Sequence, residues 1–257
     1  MRPIDDLWHT PRVDAPHRFA AALTELFERL DWRALGKHYC FEGGDDFFDE
    51  AARESLFEAE IGFASEVVER LQASESASLG RSLYVGAALS ELGPMLGEAL
   101  LLDRQVAAFS LDTPETRELN RAIREVATEL ELDLPLIRTT DLQTVTLEPY
   151  DHLWMVSVLN DPEAFPALHD KLYEREGSEL AMNRGDLAEE EERAIRLTSH
   201  VFTCLSRPGL LTTSDEEAPL VRSIASELGL ALDALSDPIL SAVVEDPVRF
   251  WSVEQSH

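Results

Sequence analysis

The sequence predicts an α/β fold: an open, mostly parallel sheet with helices on both faces, an antiparallel β-hairpin at the C-terminal end, and a helical extension in front. Three observations predict it. From Leu79 onward, short apolar runs alternate with amphipathic stretches. The first run, Leu83-Tyr84-Val85, hands over to a glycine turn, Gly86-Ala87-Ala88-Leu89-Ser90-Glu91-Leu92-Gly93, and then to a helix-like segment from Pro94. The last two runs, Ile239 to Val244 and Arg249 to Val253, are separated only by a turn at Glu245-Asp246-Pro247.

Residues 14–73 read as helical. Asp14 can cap a segment with Pro16 in its first turn, and Phe19, Leu23, Leu26, Phe27 and Leu30 recur at three- and four-residue spacing. Gly36 and Gly43-Gly44 mark a break. A second helix starts near Asp45 or Asp46, with Phe48, Ala52, Leu56, Ile61, Ala64, Val68 and Leu71 as its apolar stripe. Ser74 to Ser78 reads as a linker. Residues 1–78 are therefore an N-terminal helical extension, and 79–257 the α/β part.

Within that part the second strand is Val106 to Leu111, ending at Asp112. Thr113 caps a helix with Pro114 at its first position, running to about Glu131. Leu134 to Thr139 is a third strand closing at Asp141, and His152 to Leu159 a fourth, ending at Asn160-Asp161-Pro162. A short helix from Pro162 to Tyr173, an irregular insert over Glu176 to Asp186 and a long helix from Leu187 to Leu205 follow. Ser206-Arg207-Pro208-Gly209 breaks the chain, Leu210 to Thr213 is a fifth strand, and Glu216 to Leu228 is helical.

Composition narrows the function classes. The chain has 257 residues, 44% of them apolar and 28% charged, which suits a soluble globular protein. No apolar run approaches the roughly 20 residues of a membrane span, and the first residues lack an apolar signal core, so a cytoplasmic location is expected. Acids outnumber bases 50 to 22, a net charge of −28. That field repels nucleic acid and anionic membranes. Cys40 and Cys204 give neither a disulfide framework nor a CxxC metal pair. His200 and Cys204 lie four apart on one helix without a carboxylate partner, which favours core placement over a metal site. No GxSxG nucleophile elbow occurs.

Strand, glycine turn, helix, strand, acid is the arrangement of a nucleotide-cofactor site. The loop fails GxGxxG at Ala88 and Glu91, and fails GxGxG at Ala88 and Ser90. The ordered set nevertheless resembles the class I S-adenosylmethionine-dependent methyltransferases, with a Rossmann-like seven-stranded sheet. Val85-Gly86-Ala87-Ala88 stands where that family has its glycine-rich loop. Asp112-Thr113-Pro114-Glu115 is similar to its acid and Ser-Pro-Glu, Tyr150-Asp151-His152-Leu153-Trp154 to its fourth-strand approach, and Leu205-Ser206-Arg207-Pro208-Gly209-Leu210-Leu211 to its Leu-Lys-Pro-Gly-Gly stretch.

The resemblance implies S-adenosylmethionine as cofactor. Gly86, Ala88 and Ser90 would line its methionine end, Asp112 would bind the ribose, and Asp141 with Leu142 would face adenine. An ungapped match of Thr-Pro-Glu puts Leu111 at the ribose position instead. Asn160 lies at the sheet's carboxyl edge, where ligands of such sheets bind; Asn160-Asp161-Pro162-Glu163 breaks the Asn/Asp-Pro-Pro-aromatic pattern of amino-group methylation. His38 and Tyr39 are the polar groups the extension offers as a lid. Methyl transfer needs positioning more than covalent help, so no catalytic dyad is required and none is assigned. The expected partner is a small uncharged or cationic acceptor, with no nucleic acid or membrane and with homo-oligomerisation left open. Two alternatives stand beside it: a methyltransferase-fold scaffold or partner subunit without activity, and a nicotinamide-dependent oxidoreductase.

Overall fold

The computed structural model describes residues 14–40, 44, 46–75, 80–145, 148–175, 177–179, 181–182, 184–243 and 245–256. Outside these lie Gly43, Asp45, most of the 74–78 linker, Leu79, Glu176 at the start of the expected insert, and Val244 of the expected hairpin. In chain order the elements are α1 (Ala15–Arg29), α2 (Trp32–Tyr39), α3 (Glu50–Ala73), β1 (Arg81–Val85), α4 (Leu92–Leu101), β2 (Gln105–Phe109), α5 (Pro114–Glu129), β3 (Ile137–Arg138) and β4 (Tyr150–Met155). There follow α6 (Pro166–Leu172), α7 (Leu187–Thr203), β5 (Leu205–Ser214), α8 (Ala218–Glu227), β6 (Leu230–Ala234), β7 (Ile239–Leu240) and β8 (Pro247–Gln255).

The strands form one sheet in the order β3-β2-β1-β4-β5-β8-β6, with the short β7 also paired to β8. Neighbours from β3 through β5 are parallel, and β8 runs antiparallel between β5 and β6. Alternation along the strands divides the core into two layers. Tyr84, Ala108, Trp154, Leu210 and Phe250 point to the face covered by α1–α5, through residues such as Leu23, Leu35, Phe63, Met95 and Leu119. Leu83, Val85, Leu153, Met155, Leu211 and Trp251 point to the opposite face, against Leu168, Val201 and Val221 of α6–α8.

Capping explains where several helices begin. Asp49 accepts a hydrogen bond from Ala52 N and starts α3, three residues after Asp46, the nearer of the two acids at which the sequence places its start. Thr113 caps α5 through Thr116 N, with Pro114 at its first position, as the sequence predicts.

Three expectations need correction. The terminal hairpin pairs over only two residues, Ile239 with Val248 and Leu240 with Pro247, and beyond it Ser241 N donates to Asp246 O (3.0 Å) and Asp246 N to Ser241 Oγ (3.0 Å). The sheet is completed instead by β6, whose Leu-Ala-Leu-Asp-Ala sequence has one buried residue and an exposed end, the pattern of an edge strand. The Ser206–Gly209 break is a bulge inside β5, because the partners of Tyr150 and His152 on β4 are Leu205 and Leu210. Finally, β2 stops at Phe109, so Asp112 lies three residues past the strand rather than at its end.

A buried polar network fixes the amino-terminal half of the central strands. Arg104 Nε donates to Glu98 Oε2 (2.9 Å), and its other arm reaches Asp151, which also accepts from Gly80 N (2.9 Å) and Arg81 N (3.1 Å). Burial pushes the Glu98 carboxyl up, but His152, Arg104 and Ser82 outweigh it and hold Glu98 at about 2. Asp151 is therefore a buried bracket between strands.

Candidate active site

Strand order reverses between β1 and β4, and in open α/β sheets ligands bind beyond the strand carboxyl ends at such a reversal. Here that place is framed by the 86–93 loop, the β2–α5 connection, the turn after β4, and α2 from the extension. Gly86 leaves β1 at φ +78, in the left-handed region that favours glycine. Gly86 N and Ala87 N both donate to Phe109 O (2.8 and 3.1 Å), which ties the turn to the end of β2.

Three further loop amides are taken by the protein's own carboxylates. Ala88 N donates to Glu91 Oε2 (3.0 Å), Leu89 N to Glu115 Oε1 (3.0 Å) and Gly93 N to Glu60 Oε2 (2.7 Å). These three acids come from the loop itself, from α5 and from α3. Burial pushes Glu91 up to about 7 and Glu60 well above the carboxylate range. Glu115 is also the anchor for the extension: Tyr39 Oη donates to it at 2.5 Å, and His38 Nε2 lies 3.4 Å from its second oxygen. The Glu115 hydrogen bond raises the His38 pKa. His38 and Tyr39 thus meet the same Glu115 carboxylate that accepts from Leu89 N.

The crevice is closed at its centre. A methyl of Val158, from the turn after β4, lies 2.6 Å from where a β-carbon on Gly86 would sit. Val158 is buried in one cluster with Val85, Phe109 and Leu142. Replacing Gly86 by arginine would collide with this cluster and force an L residue to positive φ.

The predicted site residues separate into two groups. Gly86, Ala88, Ser90, Leu142 and Asn160 border the switch point: Ser90 Oγ donates to Glu91 (2.9 Å), Leu142 is buried, and Asn160 is 3% exposed. Asp112 and Asp141 are engaged locally. The Asp112 side chain is 60% exposed and pairs with Arg117 at 2.9 Å; Asp141 is exposed and caps a short 3-10 turn through Gln143 N. The residue next after the end of β2 is Ser110, so that strand end carries a hydroxyl rather than an acid.

Sequence reasoning missed Glu91, Glu115, Glu60 and Val158. Glu115 was visible as the acid of Thr-Pro-Glu, yet a first-turn helix acid is common and gave no sign of facing inward.

Thr212 Oγ1, His152 Nε2 (2.9 Å apart) and Glu98, 3.0 Å from His152 Nδ1, make a hydroxyl–imidazole–carboxylate row. All three are 0% exposed, so no substrate reaches them. Among the described residues no group of three or more His, Cys, Asp or Glu could hold a metal ion. Cys204 Sγ donates to His200 O (3.5 Å), an intrahelical contact and not a metal pair. No helix among the described residues is long and apolar enough to cross a membrane.

No family model and no curated protein matches the sequence. Solved structures do. A magnesium protoporphyrin IX methyltransferase from Synechocystis PCC 6803, with bound SAM, is 15% identical, with 88% of this chain and 98% of that one covered and a TM-score of 0.48. An O-methyltransferase from neocarzinostatin biosynthesis, in complex with S-adenosylmethionine, is 11% identical over 94% and 70% of the two chains, TM-score 0.42. A ribosomal protein L11 methylase from Lactobacillus delbrueckii subsp. bulgaricus is 12% identical over 76% and 77%, TM-score 0.42. Resting on its own strand order, antiparallel β8 and β1/β4 reversal, the chain has the class I methyltransferase fold.

Proposed function

We propose that the chain binds S-adenosylmethionine at the β1/β4 switch point and transfers its methyl group to a small-molecule acceptor, with residues 1–78 acting as lid. The observation that carries this is Gly86, held at positive φ at the carboxyl end of β1, at the sheet's reversal point. The acidic lining suits the ligand's cationic end: Glu91 and Glu115 stand beside the loop where an ammonium or sulfonium would lie. Admission of an adenosyl group requires Val158 to leave Gly86, and the adjoining Ser157, at φ 54, is the residue whose backbone would turn. When bound, the cofactor supplies an activated methyl group; the chain's part is to orient the acceptor and exclude water.

A second reading is favoured by specific observations: Val158 over Gly86, own carboxylates on the loop amides, and Ser110 where an acid would meet ribose. On it the chain is a methyltransferase-shaped scaffold or partner subunit that takes no cofactor. Thermal unfolding with and without S-adenosylhomocysteine separates the two. Ligand at a hundred times its Kd adds about 2.7 kcal/mol of stability and a clear rise in melting temperature. An unmoved melting curve at saturating ligand rejects the first reading.

A further inference from the structure

We infer that Asp246, the residue before β8, is a latch on the crevice: it holds Ser157, and through Ser157 keeps Val158 seated over Gly86. As a control on cofactor entry the inference rests on the reading above; as a statement of what holds Val158 in place it stands by itself. The turn after β4 is anchored unequally along its length. Its downstream end is fixed to helices. Leu159 N donates to Glu217 at the start of α8, and Glu217 accepts in turn from Thr213 Oγ1 and Ser214 Oγ (both 3.3 Å) at the end of β5. Asn160 Nδ2 donates to Tyr173 Oη (2.9 Å), and His169 Nδ1 of α6 donates to Asn160 O (2.6 Å). Leu159, Asn160 and Glu217 are all buried.

The upstream end is held differently. Ser157, next to Val158 and at φ 54, donates its hydroxyl to Asp246 Oδ2 (2.7 Å). With 159 and 160 fixed by α6 and α8, withdrawal of Val158 turns on backbone rotation at Ser157, and that rotation carries the hydroxyl away from Asp246. The Ser157–Asp246 bond is therefore the one that opening has to break. Asp246 is well placed to resist. Its own N–H and carbonyl are both engaged by Ser241, which is buried, at 3.0 Å each, so its carboxylate is left for Ser157. The next residue, Pro247, accepts from Asp215 N (2.8 Å), and Arg249 makes a two-armed pair with Asp215 at 2.9 Å, which fixes this stretch to the end of β5. The latch acid thus stands on the rigid edge of the sheet, while the residue it holds stands on the turn that must move.

The test uses the full chain and reads the turn itself before any ligand is added. Hydrogen exchange of the amides in 156–160 should quicken about fivefold to tenfold in Asp246→Ala, the worth of one half-buried hydrogen bond to a carboxylate. Asp246→Asn keeps an acceptor and should exchange like wild type, as should Asp237→Ala, which removes an exposed acid between β6 and β7. Should Asp246→Ala fail to fold by circular dichroism, Ser157→Ala removes the same bond from its other end, with the same expectation. S-adenosylhomocysteine should then bind Asp246→Ala more tightly by the same factor. That gain should vanish in the Val158→Ala background, where the two methyl groups over Gly86 are gone. Unchanged exchange in 156–160, or equal acceleration in Asp237→Ala, overturns the latch. So does wild-type affinity in Asp246→Ala, or a gain that persists with Val158→Ala. If S-adenosylhomocysteine binds none of these proteins, the methyl-transfer reading fails and the exchange rates alone decide the latch.

Discussion

Val158→Ala is the perturbation with the most definite consequence. If the adenosyl group must displace this side chain, wild-type binding includes the cost of drawing two methyl groups out of the Val85–Phe109–Leu142 cluster. At about 0.8 kcal/mol per buried carbon, that is about 1.6 kcal/mol for full removal, and about half if the side chain only pivots. The alanine variant pays none of it. Its affinity for S-adenosylhomocysteine should therefore rise by about fourfold to about fifteenfold. The same change should lower the stability of the free protein by about 1–2 kcal/mol, because a contact beside Gly86 is lost. The assay is calorimetric titration of both proteins, with urea unfolding as the stability control. Binding that is measurable in wild type but unchanged or weaker in Val158→Ala would refute the claim that Val158 is the gate.

Other outcomes follow from the same contacts. Gly86→Ala should destabilise by about 1–2 kcal/mol from its left-handed φ alone, more with the Val158 collision, read as a shifted urea midpoint; an unshifted midpoint would show that the turn relaxes freely. Glu91 is raised by burial to about 7, so between its ordinary value and 7 the folded protein holds a proton that the unfolded chain has released. That stability is present at low pH and lost as pH rises through 7, so Glu91→Gln should gain on wild type between pH 5 and 8. A pH-independent difference would contradict this. Arg104→Met leaves the buried Glu98 and Asp151 without their shared guanidinium, and should cost about 3–5 kcal/mol by chemical denaturation; a loss under 1 kcal/mol would show that the arginine is dispensable.

The architecture was legible because the central strands carry short apolar runs, Leu83-Tyr84-Val85 and Leu153-Trp154-Met155, buried on both faces, and because Thr113 with Pro114 marks a helix start. The edges were less so. Leu230–Ala234, with one buried residue and an exposed end, carries no strand signal in the sequence, whereas of the run from Ile239 only Ile239–Leu240 pairs with β8. The site was legible in its position but not in its filling. Asp112 and Asp141 stood out as acids near strand ends, yet in a chain with 50 acidic residues that placement carries little information. What closes the crevice is long-range: Val158 meets Gly86 across 72 positions, and Glu60 meets Gly93 across 33. Neither pairing leaves a local spacing pattern to read.

Calorimetric titration of S-adenosylhomocysteine into the wild-type chain tests the central claim most directly. One saturable site per chain is expected, lost in Val158→Trp because the larger ring fills the space over Gly86. Absence of binding in wild type and in Val158→Ala alike would contradict it, leaving the fold without the methyl-transfer chemistry.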